Sequence, residues 1–266
     1  SIIVGNSVLD GGMSEGSIII KGAERGVSSA PNGYGNIVAN NNVQFSTEHL
    51  YKGITIRTSD CLVQGNYVEN AINGIFCNVP NGVNITGNYI YNALKGIVVH
   101  ADVTAVDLNT FSITSNVIRE SGDPGTANGI GIQIDSERGT INRVVIFGNL
   151  IDVVEASGTA NGIRIVYPEN ISNVTIENNL IHSVDKAISA GATGGTLTNV
   201  LTTGNIFDTI ASTVVESGIY GGTGSKINNN IGFVTENGGT SAAIASGATI
   251  AHGCDITPTT VSVLPA

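Results

Sequence analysis

The stretch "NVTIENNLIHSVDKAIS", residues 173–189, reads as a short strand, a pair of asparagines, a second strand and, after a brief gap, a third apolar pair. Apolar residues at alternate positions mean strand, because successive side chains of an extended chain point to opposite faces. Asn179, set between Ile176 and Ile181, is the odd member: an amide in an apolar setting that needs a partner.

The same pattern recurs. "CLVQGNYV" at 61–68, "VNITGNYI" at 83–90, "FSITSNVI" at 111–118, "VVIFGNLI" at 144–151 and "VTIENNLI" at 174–181 share it, with looser copies in "NIVANNNV" at 36–43 and "VLTTGNIF" at 200–207. The marked residues are Asn41, Asn66, Asn88, Asn116, Asn149, Asn179 and Asn205, spaced by 25, 22, 28, 33, 30 and 26 residues, so the repeat carries insertions of variable length. A second motif keeps step with it: "GITIR" from Gly53, "GIFCN" from Gly74, "GIVVH" from Gly96, "GIGIQI" from Gly129 and "GIRIV" from Gly162. Each repeat therefore carries three short strands.

Three strands per coil, stacked coil upon coil, make a solenoid whose apolar faces are buried only by their neighbours. An Asn at one turn of every coil then forms an internal ladder, its amides about 4.8 Å apart and bonded to one another. Removing one amide is expected to cost on the order of 1–3 kcal/mol. Asn also tolerates left-handed backbone, which such a turn requires, with the preceding Gly65, Gly87, Gly148 and Gly204 helping. On the "GNYI", "GNLI", "GNIF" and GIxI motifs the chain resembles the pectate-lyase-like superfamily of right-handed, single-stranded parallel β-helices, over roughly residues 36–235.

Composition agrees with one long all-β core: 35 Gly, no Trp, 41% hydrophobic and only 12% charged residues. A net charge of −10 with 11 Lys and Arg argues against nucleic acid, and no apolar run is long enough to span a membrane. Cys61, Cys77 and Cys254 lack zinc-like spacing, and the first two fall at inward positions as buried thiols, so neither metal nor cofactor is expected. The chain opens at Ser1 already in strand-like sequence, as a fragment or processed form would.

Three segments are expected: an irregular first coil or cap over residues 1–35, the β-helix over 36–236, and a Gly, Ser, Ala and Thr-rich β-segment over 237–266. That last segment resembles the carboxyl-terminal region of phage tail-fibre and tailspike proteins through Thr249, Ile250, His252, Gly253, Thr257, Pro258, Thr259, Val261, Val263 and Pro265; Cys254 and Asp255 depart from the pattern. The resemblance implies a virion or extracellular protein, a homotrimer, and a bacterial surface polysaccharide as partner, recognised or also depolymerised. A free polysaccharide lyase, hydrolase or epimerase is a competing reading, disfavoured because neither a calcium-binding Asp cluster nor a lyase "RxPxxR" is present, and a non-enzymatic structural or adhesive rod is the third.

Two outward columns stand out. One collects Glu69, Tyr91, Arg119, Asp152, His182 and Asp208, whose bland reading is a solvated charge ladder. The other lies on the GIxI strands, with Thr55, Arg57, Phe76, Asn78, Val98, His100, Gly131, Gln133 and Arg164 facing outward; the sheet of these strands forms the glycan groove in the proteins it resembles. Beside it, two loops ending in the identical "GTANGI" bring Asp123 and Glu155 near. His100, Gln133 and Arg164 are the candidate substrate-binding residues, and Asp123, Asp135 and Glu155 the candidate acid and base, because glycoside hydrolysis needs two carboxyl groups flanking the bond. The bland alternative has Arg164 merely pairing with Glu137 or Glu169.

Overall fold

The structure, a computed structural model, describes residues 1–10, 16–21, 35–47, 50–78, 81–101, 108–121, 129–153, 160–192, 194–220 and 223–232. The first coil runs through β1 (Ile2–Val4), β2 (Ser7–Leu9) and β3 (Ile18–Lys21), and the second through β4 (Asn36–Ala39), β5 (Asn42–Gln44) and β6 (Lys52–Arg57). The third and fourth repeat the plan in β7 (Cys61–Gln64), β8 (Tyr67–Glu69), β9 (Asn73–Asn78), β10 (Asn84–Thr86), β11 (Tyr89–Tyr91) and β12 (Lys95–His100). The fifth and sixth comprise β13 (Leu108–Thr114), β14 (Val117–Ser121), β15 (Ile130–Asp135), β16 (Ile141–Phe147), β17 (Leu150–Val153) and β18 (Asn161–Tyr167). In the seventh, β19 (Ile171–Glu177) leads into the long β20 (Leu180–Ala192); the eighth holds β21 (Leu197–Thr203), β22 (Ile206–Val215) and the single-turn α1 (Ser217–Tyr220), and β23 (Lys226–Asn228) begins a ninth.

Every pairing is parallel and joins a strand to its counterpart one coil away. The result is a right-handed parallel β-helix, the hand that parallel crossovers take almost without exception. Its first wall is β1-β4-β7-β10-β13-β16-β19-β21-β23. The second (β2 to β17) and third (β3 to β18) are joined into one sheet by β20, which turns the corner at Ser183, a residue with left-handed φ, and pairs β17 through residues 180–182 and β18 through 186–192. Eight full coils at about 4.8 Å each give a rod of about 40 Å. One apolar cluster fills it from Ile18 to Ile219. Cys61 and Cys77 belong to this cluster, and burial pushes the Cys61 thiol up to about 12 and that of Cys77 upward as well. Cys254 and the rest of 237–266 lie outside the described residues.

The Asn ladder has nine rungs among the described residues: Asn6 and Asn230 extend the seven read from sequence. At each interior rung the backbone N–H and the side-chain Nδ2 both donate to the next Oδ1, as from Asn149 to Asn179 at 3.0 and 2.9 Å. The second Nδ2 hydrogen goes back to a first-wall carbonyl, Ile113 O for Asn149 and Ile146 O for Asn179. The left-handed residue is not the ladder Asn, as the sequence reading had it, but the one before: Gly5, Asn40, Gly65, Gly87, Ser115, Gly148, Asn178, Gly204 and Asn229 all have positive φ. The reason is geometric. The turn reverses one residue early, which frees the ladder Asn to point its amide inward.

A second correction concerns Gly131. It does not face outward with Gln133. Together with Gly53, Gly74, Gly96 and Gly162 it lines the inner corner where the third wall begins; a Cβ there would clash with Ile151 Cγ2 and come within 2.6 Å of Gly162 O. Two consecutive residues, Gly131 and Ile132, therefore turn inward before alternation resumes.

Candidate functional site

The third wall differs from the other two on its outer side. Outward residues elsewhere are open, as at Tyr89 (36% exposed), Phe147 (40%) and Ile206 (41%), whereas Thr55, Phe76, Val98, Gln133 and Ser189 are buried. Register aligns these as one column, Thr55–Phe76–Val98–Gln133–Arg164–Ser189, and beside it runs Arg57–Asn78–His100–Asp135–Val166–Gly191.

Polar groups converge where coils four to six meet. His100 Nε2 lies 2.6 Å from Glu137 Oε2, and Gln133 Nε2 donates to Asp135 Oδ2 at 3.2 Å. Burial raises the affinity of Asp135 for a proton and Glu137 adds to this, while His100, the Gln133 amide and Lys95 work in the opposite direction. Lys95 is half-buried and holds its proton less tightly than an ordinary lysine, first because of burial and then because of the Arg164 guanidinium; Asp135 only partly offsets this. Two rows away, the Lys52 ammonium sits 4.0 Å from the Phe76 ring centroid, and the Phe76 and His100 rings are 6.0 Å apart.

His100, Gln133, Asp135 and Arg164 are thus neighbours on one wall. Arg164 pairs with neither Glu137 nor Glu169: Glu137 is held by His100 and Arg138 instead. Asp123 and Glu155 lie outside the described residues, as do the "GTANGI" loops apart from their last residues. Lys95 and Lys52 were missed in the sequence, although "KGITIR" and "KGIVVH" place a Lys before the repeated Gly-Ile in two of the five copies. Among the described residues no group of three His, Cys, Asp or Glu is placed to hold a metal ion.

A raised carboxyl means that ionising Asp135 costs folding stability. The stability of the protonated form is full below the unfolded pKa and is lost as pH rises through the folded one. Asp135→Asn should therefore gain relative to wild type between about pH 4 and about pH 7. Urea midpoints at the two ends test this; a gap that narrows with pH would contradict the assignment.

The second-wall column is in register as read from sequence, Glu69–Tyr91–Arg119–Asp152–His182–Asp208. Arg119 lies 3.9 Å from Asp152, and His182 lies 3.2 Å from Asp152 and 3.6 Å from Asp208. Exposed pairs of this kind contribute at most about 1 kcal/mol each.

No family model matches the sequence, and no curated protein sequence matches it. Among solved structures the chain is similar to an alginate lyase from Paenibacillus sp. str. FPU-7, at 14% identity, covering 85% of this chain and 90% of that one with a TM-score of 0.44. That likeness carries no argument about the site; the fold rests on the strand pairings and the ladder.

Proposed function

We propose that this protein recognises a bacterial surface polysaccharide along its third wall, in the manner of a phage tailspike and as a homotrimer of parallel rods. The observation that carries the reading is the convergence of Lys95, His100, Gln133, Asp135, Glu137 and Arg164 on a sheltered sheet otherwise built of Ile, Val and Gly. A few placed polar groups on an otherwise apolar surface are what a sugar site needs. The segment over 237–266 supports the tailspike part through its resemblance alone. A carboxyl whose affinity for a proton is raised by burial, beside a His–Glu pair, also suits acid–base cleavage of a glycosidic bond, with Asp135 as the acid.

An array of bacterial surface polysaccharides, read both for retention and for released reducing or unsaturated ends, tests this. Retention by wild type, its loss in Arg164→Ala, and lost turnover with kept retention in Asp135→Ala are expected. Retention unchanged in both variants would remove the site from this wall. No retention of any glycan would leave the rod a structural element.

A further inference from the structure

The outer side of the Asn corner, where the first wall turns into the second, carries an unbroken apolar stripe. Register places Tyr67, Tyr89, Val117, Leu150, Leu180, Ile206 and Ile231 in one column, one from each of seven successive coils. The column is polar only in the first two coils, at Ser7 and Asn42. At about 4.8 Å per step the stripe runs about 29 Å along the rod axis. Nine large apolar residues are exposed among the described residues; Tyr89, Ile206 and Ile231 are on the stripe, and Val145 and Phe147 lie beside it on the first wall. At its amino-terminal end the Tyr67 and Tyr89 rings stack, with centroids 5.6 Å apart.

The coils themselves do not need these side chains. Their core is filled from this wall by the inward residues Val68, Ile90, Ile118, Ile151, Ile181 and Phe207, all buried. Nor does strand formation demand them, since the next outward column of the same wall is the polar one that runs from Glu69 to Asp208. An apolar band rimmed by polar groups is the anatomy of a protein–protein contact, and aromatic residues are enriched in such bands.

We infer that the Asn corner is the surface through which copies of this chain pack side by side, parallel and at the same height. The inference rests on the homotrimer proposed above, names its contact face, and takes nothing from the glycan reading. A straight stripe with one group per coil is matched in period by another rod of the same rise. Charge decides the direction. Antiparallel rods centred on Leu150 would set second wall against second wall, so that Asp152 would face its own copy and Arg119 would face His182. Parallel rods related by rotation about an axis along their length set the second wall of one against the first wall of the next, coil for coil. There Glu69, Arg119, Asp152 and Asp208 meet the uncharged Gln64, Thr114, Phe147 and Thr203, and His182 meets Glu177, which attracts its protonated form. No like charges face each other at these positions. A convex corner also suits three rods closing around one axis, which buries the stripe at the centre and leaves the third wall outside.

Disulfide trapping on the full chain tests this. Cys61 and Cys77 are buried, so Cys254→Ser removes the remaining thiol, and Tyr89→Cys or Ile206→Cys then adds one to the stripe. Wild type should scatter light as a trimer. With copper–phenanthroline as oxidant, each stripe variant alone should give covalent dimers, one chain of every trimer being left over. Arg143→Cys, exposed toward the opposite end of the first-wall strand, should give none. Leu150→Glu should weaken association at least about 10-fold with an unchanged far-ultraviolet circular dichroism spectrum, because its carboxylate would be buried against its own copies. Trimers without a crosslink in either stripe variant would overturn the inference and leave the homotrimer standing on another face. Crosslinks formed only in a mixture of the two variants would overturn it too, since they mark antiparallel rods. A monomeric wild type would remove the homotrimer and this contact face together.

Discussion

Asn149→Ala is expected to destabilise the rod by about 3–6 kcal/mol, more than the loss of a single bonded neighbour suggests. Asn149 Oδ1 accepts from both the N–H and Nδ2 of Asn116, at 3.0 Å each. Its own Nδ2 supplies Ile113 O at 2.9 Å. Alanine therefore strands two donors and one acceptor inside a corner that is closed to water, and each orphan costs roughly 1–3 kcal/mol with some relaxation between them. The backbone bond from residue 149 to Asn179 survives, so the damage runs mainly toward the amino-terminal side of the substitution. Asn6→Ala is the control: Asn6 is exposed, donates to Asn41 at 2.9 Å and to Val4 O at 3.3 Å, and should cost less than about 1 kcal/mol. Denaturant midpoints of the two variants should differ widely. Equal midpoints would mean that the ladder is not what fixes this corner.

The ladder was legible because its requirement is local. Each coil needs an inward amide after the first-wall strand, and only Asn has the length to reach both the next rung and the carbonyl behind it, so the pattern survives insertions that vary the repeat. Asn6 in "IIVGNSVL" and Asn230 in "KINNNIGF" carried the same signal more faintly, without the strong flanking Ile and Val of the central copies. The site was legible in part. Alternation placed His100, Gln133, Asp135 and Arg164 on one side of one wall, and register then made them neighbours. Lys95 escaped because the corner breaks alternation: with Gly96 and Ile97 both turned inward, the residue before the Gly faces out, which period two does not foresee. Nor does periodicity say which outward residues are sheltered. Burial of Phe76, Val98 and Gln133 on their outer side is a tertiary fact, and with it comes the perturbed carboxyl of Asp135.

The same corner gives the other large effect. Gly131 has no left-handed φ, so its need for glycine comes from space alone. A methyl group there would clash with Ile151 Cγ2 from one wall and meet Gly162 O at 2.6 Å from the next coil, and a carbonyl fixed in a ladder cannot step aside. Overpacking a rigid core typically costs about 1–3 kcal/mol and more when backbone must move, so Gly131→Ala should lose about 3 kcal/mol and Gly131→Val should fail to fold. The sequence itself marks where the constraint ends. Ala187 occupies the equivalent position one coil beyond Gly162, where the next strand, β22, slips register between Val184 and Lys186 and opens the corner. A double-mutant cycle separates the two contacts. Ile151→Ala removes the methyl that Gly131→Ala would strike, so the double variant should lose less than the sum of the singles, by roughly 1 kcal/mol. The remaining penalty belongs to Gly162 O, which no side-chain change relieves. Strict additivity, or a stable Gly131→Val protein, would place Gly131 outside the corner and return it to the outer column.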